Sequence, residues 1–111
     1  MKNSWYTLYK NFITQPTTLD KIQSDYIEEI KPDNAVTEMH YQIRSCFLRN
    51  WKRFRSYVKD SDELYEFETP DYTWDSSCSY GRKGILLVRD GKVIKSFLTF
   101  STASGVIEDI E

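Results

Sequence analysis

Gly84-Ile85-Leu86-Leu87-Val88-Arg89-Asp90-Gly91-Lys92-Val93-Ile94-Lys95-Ser96-Phe97-Leu98-Thr99-Phe100 decides the fold. Two runs rich in β-formers flank Asp90-Gly91, and a two-residue Asp-Gly connection signals a tight hairpin because both turn positions need positive φ. In an uninterrupted register, Ile85 and Leu87 share a face with Ile94, Leu98 and Phe100. Leu86, Val88, Val93 and Phe97 form the opposite face, interrupted only by Lys95. Both faces are apolar, so either helices cover both sides or one side is a binding surface.

Upstream, Glu63-Leu64-Tyr65-Glu66-Phe67-Glu68 alternates and stops at Thr69-Pro70, a third strand. If Tyr65 and Phe67 face the core, Glu66 and Glu68 point outward. Gly81-Arg82-Lys83-Gly84 has a Gly-x-x-Gly spacing, but it precedes a strand, and a turn entering the hairpin explains both glycines. Downstream, Ile107-Glu108-Asp109-Ile110-Glu111 reads as a short acidic tail.

The first half of the chain has helical periodicity. Trp5, Leu8, Tyr9, Phe12 and Ile13 form one short stripe, which Pro16 interrupts. Thr17 or Thr18 can cap a second helix whose apolar face is Leu19, Ile22, Tyr26 and Ile30, and Pro32-Asp33-Asn34 breaks it. A third helix is expected from about Ala35 to Val58. Val36, Met39, Ile43, Phe47, Trp51, Phe54 and Val58 lie in one arc of it, His40 falls inside that arc, and Cys46 sits at its edge. The expected architecture is α+β: N-terminal helices packed on a small antiparallel sheet of three or more strands, as one domain over residues 1–111.

With 111 residues and a net charge of −2, the chain has enough length for one core. No apolar run is long enough to cross a membrane, and the N-terminus lacks the apolar core of a secretion signal. Two unclustered cysteines, Cys46 and Cys78, do not make a disulfide framework, so a reducing cytoplasm is the expected compartment. A single histidine excludes a metal site built on several imidazoles, and nothing in the sequence calls for a cofactor. Cys46 is expected to be a small buried hydrophobe and His40 a satisfied core residue. A Cys78–His40 dyad would require the fold to bring the two together. Acidic pairs such as Asp60/Asp62 and Glu66/Glu68 lack a third ligand at a diagnostic spacing, so no catalytic or metal constellation is assigned.

The small net charge hides a segregation. Residues 44–59 carry six basic side chains (Arg44, Arg49, Lys52, Arg53, Arg55, Lys59) and no acidic one. Residues 60–81 carry seven acidic (Asp60, Asp62, Glu63, Glu66, Glu68, Asp71, Asp75) and no basic one. The basic helix face reads as the solvated side of an amphipathic helix or, alternatively, as a nucleic-acid contact using Arg49, Lys52, Arg55, Lys59 and the Arg82-Lys83 loop. In the acidic run, Glu66, Glu68, Asp71 and Asp75 interleave with Tyr72 and Trp74. The carboxylates can steer a basic partner and the rings can anchor it; in the alternative, the rings fold inward and the acids solvate a loop.

The segment from Asp62 to Phe100, with DELYEF ahead of GRKGILLVRDGKVIKSFLTF, resembles a pattern of small bacterial proteins in which an acidic strand precedes a hairpin. In size and acidity the chain also resembles the immunity proteins of interbacterial toxin systems such as contact-dependent growth inhibition. That resemblance implies a cytoplasmic, non-enzymatic protein that neutralises a cognate toxin. With the acidic run as the docking surface (Glu66, Glu68, Asp71, Tyr72, Trp74 and Asp75), the expected partner is a basic, nuclease-like domain whose cleft the carboxylates occupy in place of phosphates.

Overall fold

A computed structural model of the chain describes residues 11–69, 81–100 and 105–110. Five strands form one antiparallel sheet in sequence order: β1 (Ile13–Thr17), β2 (Glu63–Glu68), β3 (Lys83–Arg89), β4 (Lys92–Phe100) and β5 (Ile107–Asp109). Between β1 and β2 the chain forms a short helix α1 (Leu19–Ile22) that widens into a π-helical turn (Gln23–Ile27). A 3-10 turn (Pro32–Asn34) and the long helix α2 (Glu38–Tyr57) follow. The α+β class therefore holds, and α1 and α2 lie between β1 and β2, so the long helix precedes β2–β5 but follows β1.

Strand β1, which begins at Ile13 just after helical Asn11, contains Pro16. Proline cannot donate to a strand on its N–H side, so it is tolerated at a sheet edge, and among the described residues β1 pairs only with β2. Ile13, read as the end of a helical stripe, thus stands in the edge strand opposite Phe67. Trp5, Leu8 and Tyr9 of that stripe lie outside the described residues. Thr18 caps α1 by accepting from the Lys21 N–H, as its position ahead of the periodic run implies. Thr37 does the same for α2 by accepting from His40 N at 3.1 Å, so that helix starts three residues later than its apolar periodicity suggests.

The hairpin forms at Asp90-Gly91, with φ of 54° and 77°. Its register contains a bulge. Leu87 stands opposite Lys95 but Val88 opposite Val93, which leaves Ile94 as the extra residue. This bulge reverses the parity of Lys95 to Leu98, and a second shift follows at Thr99, where Gly84 stands opposite Leu98 but Lys83 opposite Phe100. Phe97 joins Ile85, Leu87 and Ile94 on the helix-covered side, while Leu98 joins Leu86, Val88 and Val93 on the other. On the helix side Phe97 is fully buried, with the rings of Phe47, Trp51 and Phe54 at 5.2, 5.6 and 5.5 Å from its own. On the far side Phe67, Leu86, Val93, Leu98 and Ile110 are also buried, so neither face of the hairpin is an open apolar surface. The expected acidic tail is in fact the fifth strand, paired to β4 through Lys95, Ser96 and Phe97.

Helix α2 is covered over only part of its length. Phe47, Trp51 and Phe54 are buried, but Met39 is 70 % exposed, Ile43 55 % and, just before the helix, Val36 89 %. His40 and Cys46 are exposed as well, which corrects their expected places in the core. Periodicity marks the face that would be buried if a neighbour were present, and over the first two turns α2 has little beside it among the described residues.

Candidate functional site

The acidic run is the feature with the strongest sequence claim to function, and β2 is its described part. Leu64 and Glu66 point to the helix-covered side, and Phe67 to the other. The expected outward placement of Glu66 is thereby corrected. Its residue is 6 % exposed and its carboxylate lies under the π-helical turn. The Tyr26 hydroxyl donates to Oε1 at 2.6 Å. Gln15 Nε2 donates to Oε2 at 2.7 Å, and Lys21 Nζ lies 3.5 Å from the same oxygen. Burial pushes the Glu66 pKa up, but the hydrogen bonds from Tyr26 and Gln15 and the charge of Lys21 outweigh it and hold the carboxyl below its ordinary value. The same contact, after burial itself, raises the pKa of Tyr26. Glu66 therefore ties β1, α1 and the π-helical turn to β2 and is not displayed to a partner.

Asp62 is consumed in the same way. Arg89 grips it with a two-point fork, Nε to Oδ1 at 2.8 Å and Nη2 to Oδ2 at 2.7 Å, and Nη2 also donates to the Tyr57 carbonyl at 2.9 Å. The Lys59 N–H donates to Asp62 at 2.8 Å. The carboxyl side chain is fully buried, and the Arg89 hydrogen bonds, opposed by burial, hold it down to about 2. This cluster fastens the C-terminal end of α2 to the hairpin.

Other acids of the run remain outside. Asp60, Glu63 and Glu68 are exposed and, among the described residues, form no ion pair; Glu63 accepts a hydrogen bond from the Tyr65 hydroxyl. Glu68 stands opposite Lys83 in the sheet. Asp71, Tyr72, Trp74 and Asp75, the rest of the expected docking surface, lie outside the described residues, as does Cys78. A cleft of ≈ 540 Å³ opens beside β2, lined among others by Asp20, Asp60, Glu63 and Tyr65 together with Arg55 and Lys59. Asp20 was not singled out in the sequence; its place beside Asp60 and Glu63 depends on α1 packing over the end of β2, a non-local arrangement.

Gly84 has a role different from the expected turn. It lies within β3, where a Cβ would sit 2.2 Å from the carbonyl oxygen of Phe97, so only glycine fits this approach of β4. Arg82, two residues before it, pairs with Glu108 at 3.0 Å, and Glu108 also accepts from the buried Ser96 hydroxyl at 2.8 Å. The two carboxylates of the supposed tail are thus structural, Glu108 here and Asp109 through its ion pair with Lys95. Among the described residues no group of three or more His, Cys, Asp or Glu is arranged to hold a metal ion, and no helix is long and apolar enough to cross a membrane.

Comparison with known proteins returns no match: no family model, curated protein or solved structure matches the chain.

Proposed function

We propose that this chain is an immunity-type protein that acts in the cytoplasm, binding a basic, nuclease-like toxin domain and occluding its cleft without catalysing a reaction. The observation that supports this reading is the division of labour within the acidic run. Glu66 and Asp62 are neutralised inside the fold, while Asp60, Glu63 and Glu68 stay exposed and form no ion pair among the described residues. Asp60 and Glu63 line one cleft at the start of β2 and Glu68 stands at the strand's other end, so a cationic partner is met by exposed carboxylates along the strand. Glu68 ends a strand held between β1 and β3, so it is presented from a rigid element immediately before Asp71-Tyr72-Thr73-Trp74-Asp75.

Burial of Glu66 dictates which variant tests the reading. A lysine there would disrupt the Tyr26–Gln15–Lys21 cluster, so the informative pair is Glu68→Lys with Asp71→Lys. Immobilised wild-type protein is expected to retain a basic protein from lysate of its own source cell, and the captured protein to show nuclease activity once freed of the inhibitor. The double variant is expected to associate at least tenfold more slowly, with a flattened dependence on salt. Retention of no basic protein, or capture and inhibition unchanged in the double variant, would overturn the proposal.

A further inference from the structure

The outer face of α2 carries charge of the opposite sign. Arg49, Lys52, Arg53 and Ser56 follow one another at i, i+3, i+4 and i+7, a single stripe on the side of the helix opposite Phe47, Trp51 and Phe54. All four are exposed, and Arg55 and Lys59 flank the stripe, exposed as well. Among the described residues none of the five cations makes an ion pair. Among the other described basic groups, Lys21, Arg82, Arg89 and Lys95 have carboxylate partners while Lys31, Arg44, Lys83 and Lys92 form no ion pair, but those four do not line up along one helix face as Arg49, Lys52 and Arg53 do. Helix-dipole stabilisation explains cations in the last turn only, because that effect fades within one turn, and Arg49, Lys52 and Arg53 all precede it.

We propose that this face of α2 is a docking surface for the phosphate backbone of nucleic acid, bound without regard to base sequence. Its chemistry distinguishes among the anionic partners it could take. A protein interface needs apolar or aromatic anchors at its centre, and Arg49, Lys52, Arg53, Arg55 and Ser56 present none. An anionic membrane would take up an amphipathic helix by its apolar side, but in this half of α2 that side is buried against the sheet. What remains is a rigid cationic stripe with guanidinium forks, suited to phosphate oxygens, and no ring on which a base could stack. Arg49 and Arg53 are about 6 Å apart along the helix axis, so with Lys52 they reach two or three phosphates. The stripe of Arg49, Lys52 and Arg53 is distinct from the acidic run, although the flanking Arg55 and Lys59 line the same cleft as Asp60 and Glu63; the tests of the two proposals use different residues.

Three contacts on duplex DNA give a salt slope of about −2.7, which corresponds to a loss of about 40-fold in affinity between 50 and 200 mM salt. The test is fluorescence anisotropy of the full chain with a labelled 20-base-pair duplex of arbitrary sequence, from 20 mM salt upward. Wild-type protein is expected to bind at 20 mM salt with that slope, and an unrelated duplex sequence to bind equally. The triple variant Arg49→Gln/Lys52→Gln/Arg53→Gln, checked for an unchanged circular dichroism spectrum, is expected to lose at least tenfold in affinity and most of the slope. Lys31→Gln/Lys92→Gln, at two exposed cations outside α2, is expected to bind as wild type does. No binding of the wild type at 20 mM salt overturns the proposal, as does an unaffected triple variant. Tighter binding to polyglutamate, or to vesicles containing phosphatidylserine, overturns it in favour of an acidic protein or a membrane.

Discussion

Glu66 shows how a single side chain can serve the fold while appearing in the sequence to serve a surface. It sits between two residues, Tyr65 and Phe67, that invite an outward assignment. A strand buried on both faces gives no cue to which parity is core, and the partners that settle the matter, Gln15 and Tyr26, are some 50 and 40 positions away. Tyr26→Phe removes one donor from a buried carboxylate and is expected to cost about 1–3 kcal/mol in urea unfolding, the range for a hydrogen bond to a charged group. A Glu68→Ala control, at an exposed position, is expected to fall within about 0.5 kcal/mol of wild type. Asp62 adds a pH dependence with a definite sign. Its folded pKa of about 2 lies below its unfolded value of 3.8, so its contribution is complete above the unfolded value and is lost as pH falls toward the folded one. Thermal melts are therefore expected to show stability dropping between about pH 4 and pH 2, with a shallower drop in Asp62→Asn. An equally steep drop in that variant would assign the acid sensitivity elsewhere.

At the scale of elements, the hairpin and the long helix were legible because their signals are local. Asp-Gly between two β-rich runs requires only that both turn residues accept positive φ, and the 3.6-residue period of α2 is written in its own sequence. What was not legible depends on neighbours. The bulge at Ile94 exchanges the faces of Phe97 and Leu98, and no feature of Lys92–Phe100 alone marks where an extra residue is absorbed. The apolar arc of α2 runs from Val36 to Val58, yet whether each member is buried depends on where the sheet ends beneath it. Two contrasts test this account. Phe54→Ala, at a fully buried position, is expected to cost about 3–5 kcal/mol, whereas Met39→Gln on the same helix is expected to change stability by less than about 0.5 kcal/mol. Gly84→Ala is expected to destabilise more than Gly91→Ala. The first drives a Cβ into the β4 backbone, while the second meets open space and carries only the strain of φ at 77°.

For the whole molecule, the insertion of α1 and α2 between β1 and β2 separates the sheet into an easy part and a difficult part. Strands β2 to β5 are neighbours in sequence order as well as in space, and β3 and β4 close across two residues. Strand β1 must instead find β2 across the entire helical region, Thr17 pairing with Leu64. Closing that loop costs roughly 3 kcal/mol more entropy than closing the hairpin, and its return comes only once α1 and the π-helical turn have docked over Glu66. The hairpin with α2 against it is therefore expected to form the folding nucleus, with β1 added after the barrier. Val93→Ala, in the hairpin, should slow folding in a denaturant chevron. Gln15→Ala, which removes the β1 hydrogen bond to Glu66, should leave the folding rate nearly unchanged and speed unfolding. Both substitutions remove enough stability for the ratio to be meaningful, since one opens a buried apolar site and the other takes a donor from a buried carboxylate. If Gln15→Ala slowed folding in proportion to its full loss of stability, the edge strand would already be paired at the barrier. The helices would then be organised around Glu66 before the hairpin, and the order of assembly would be the reverse.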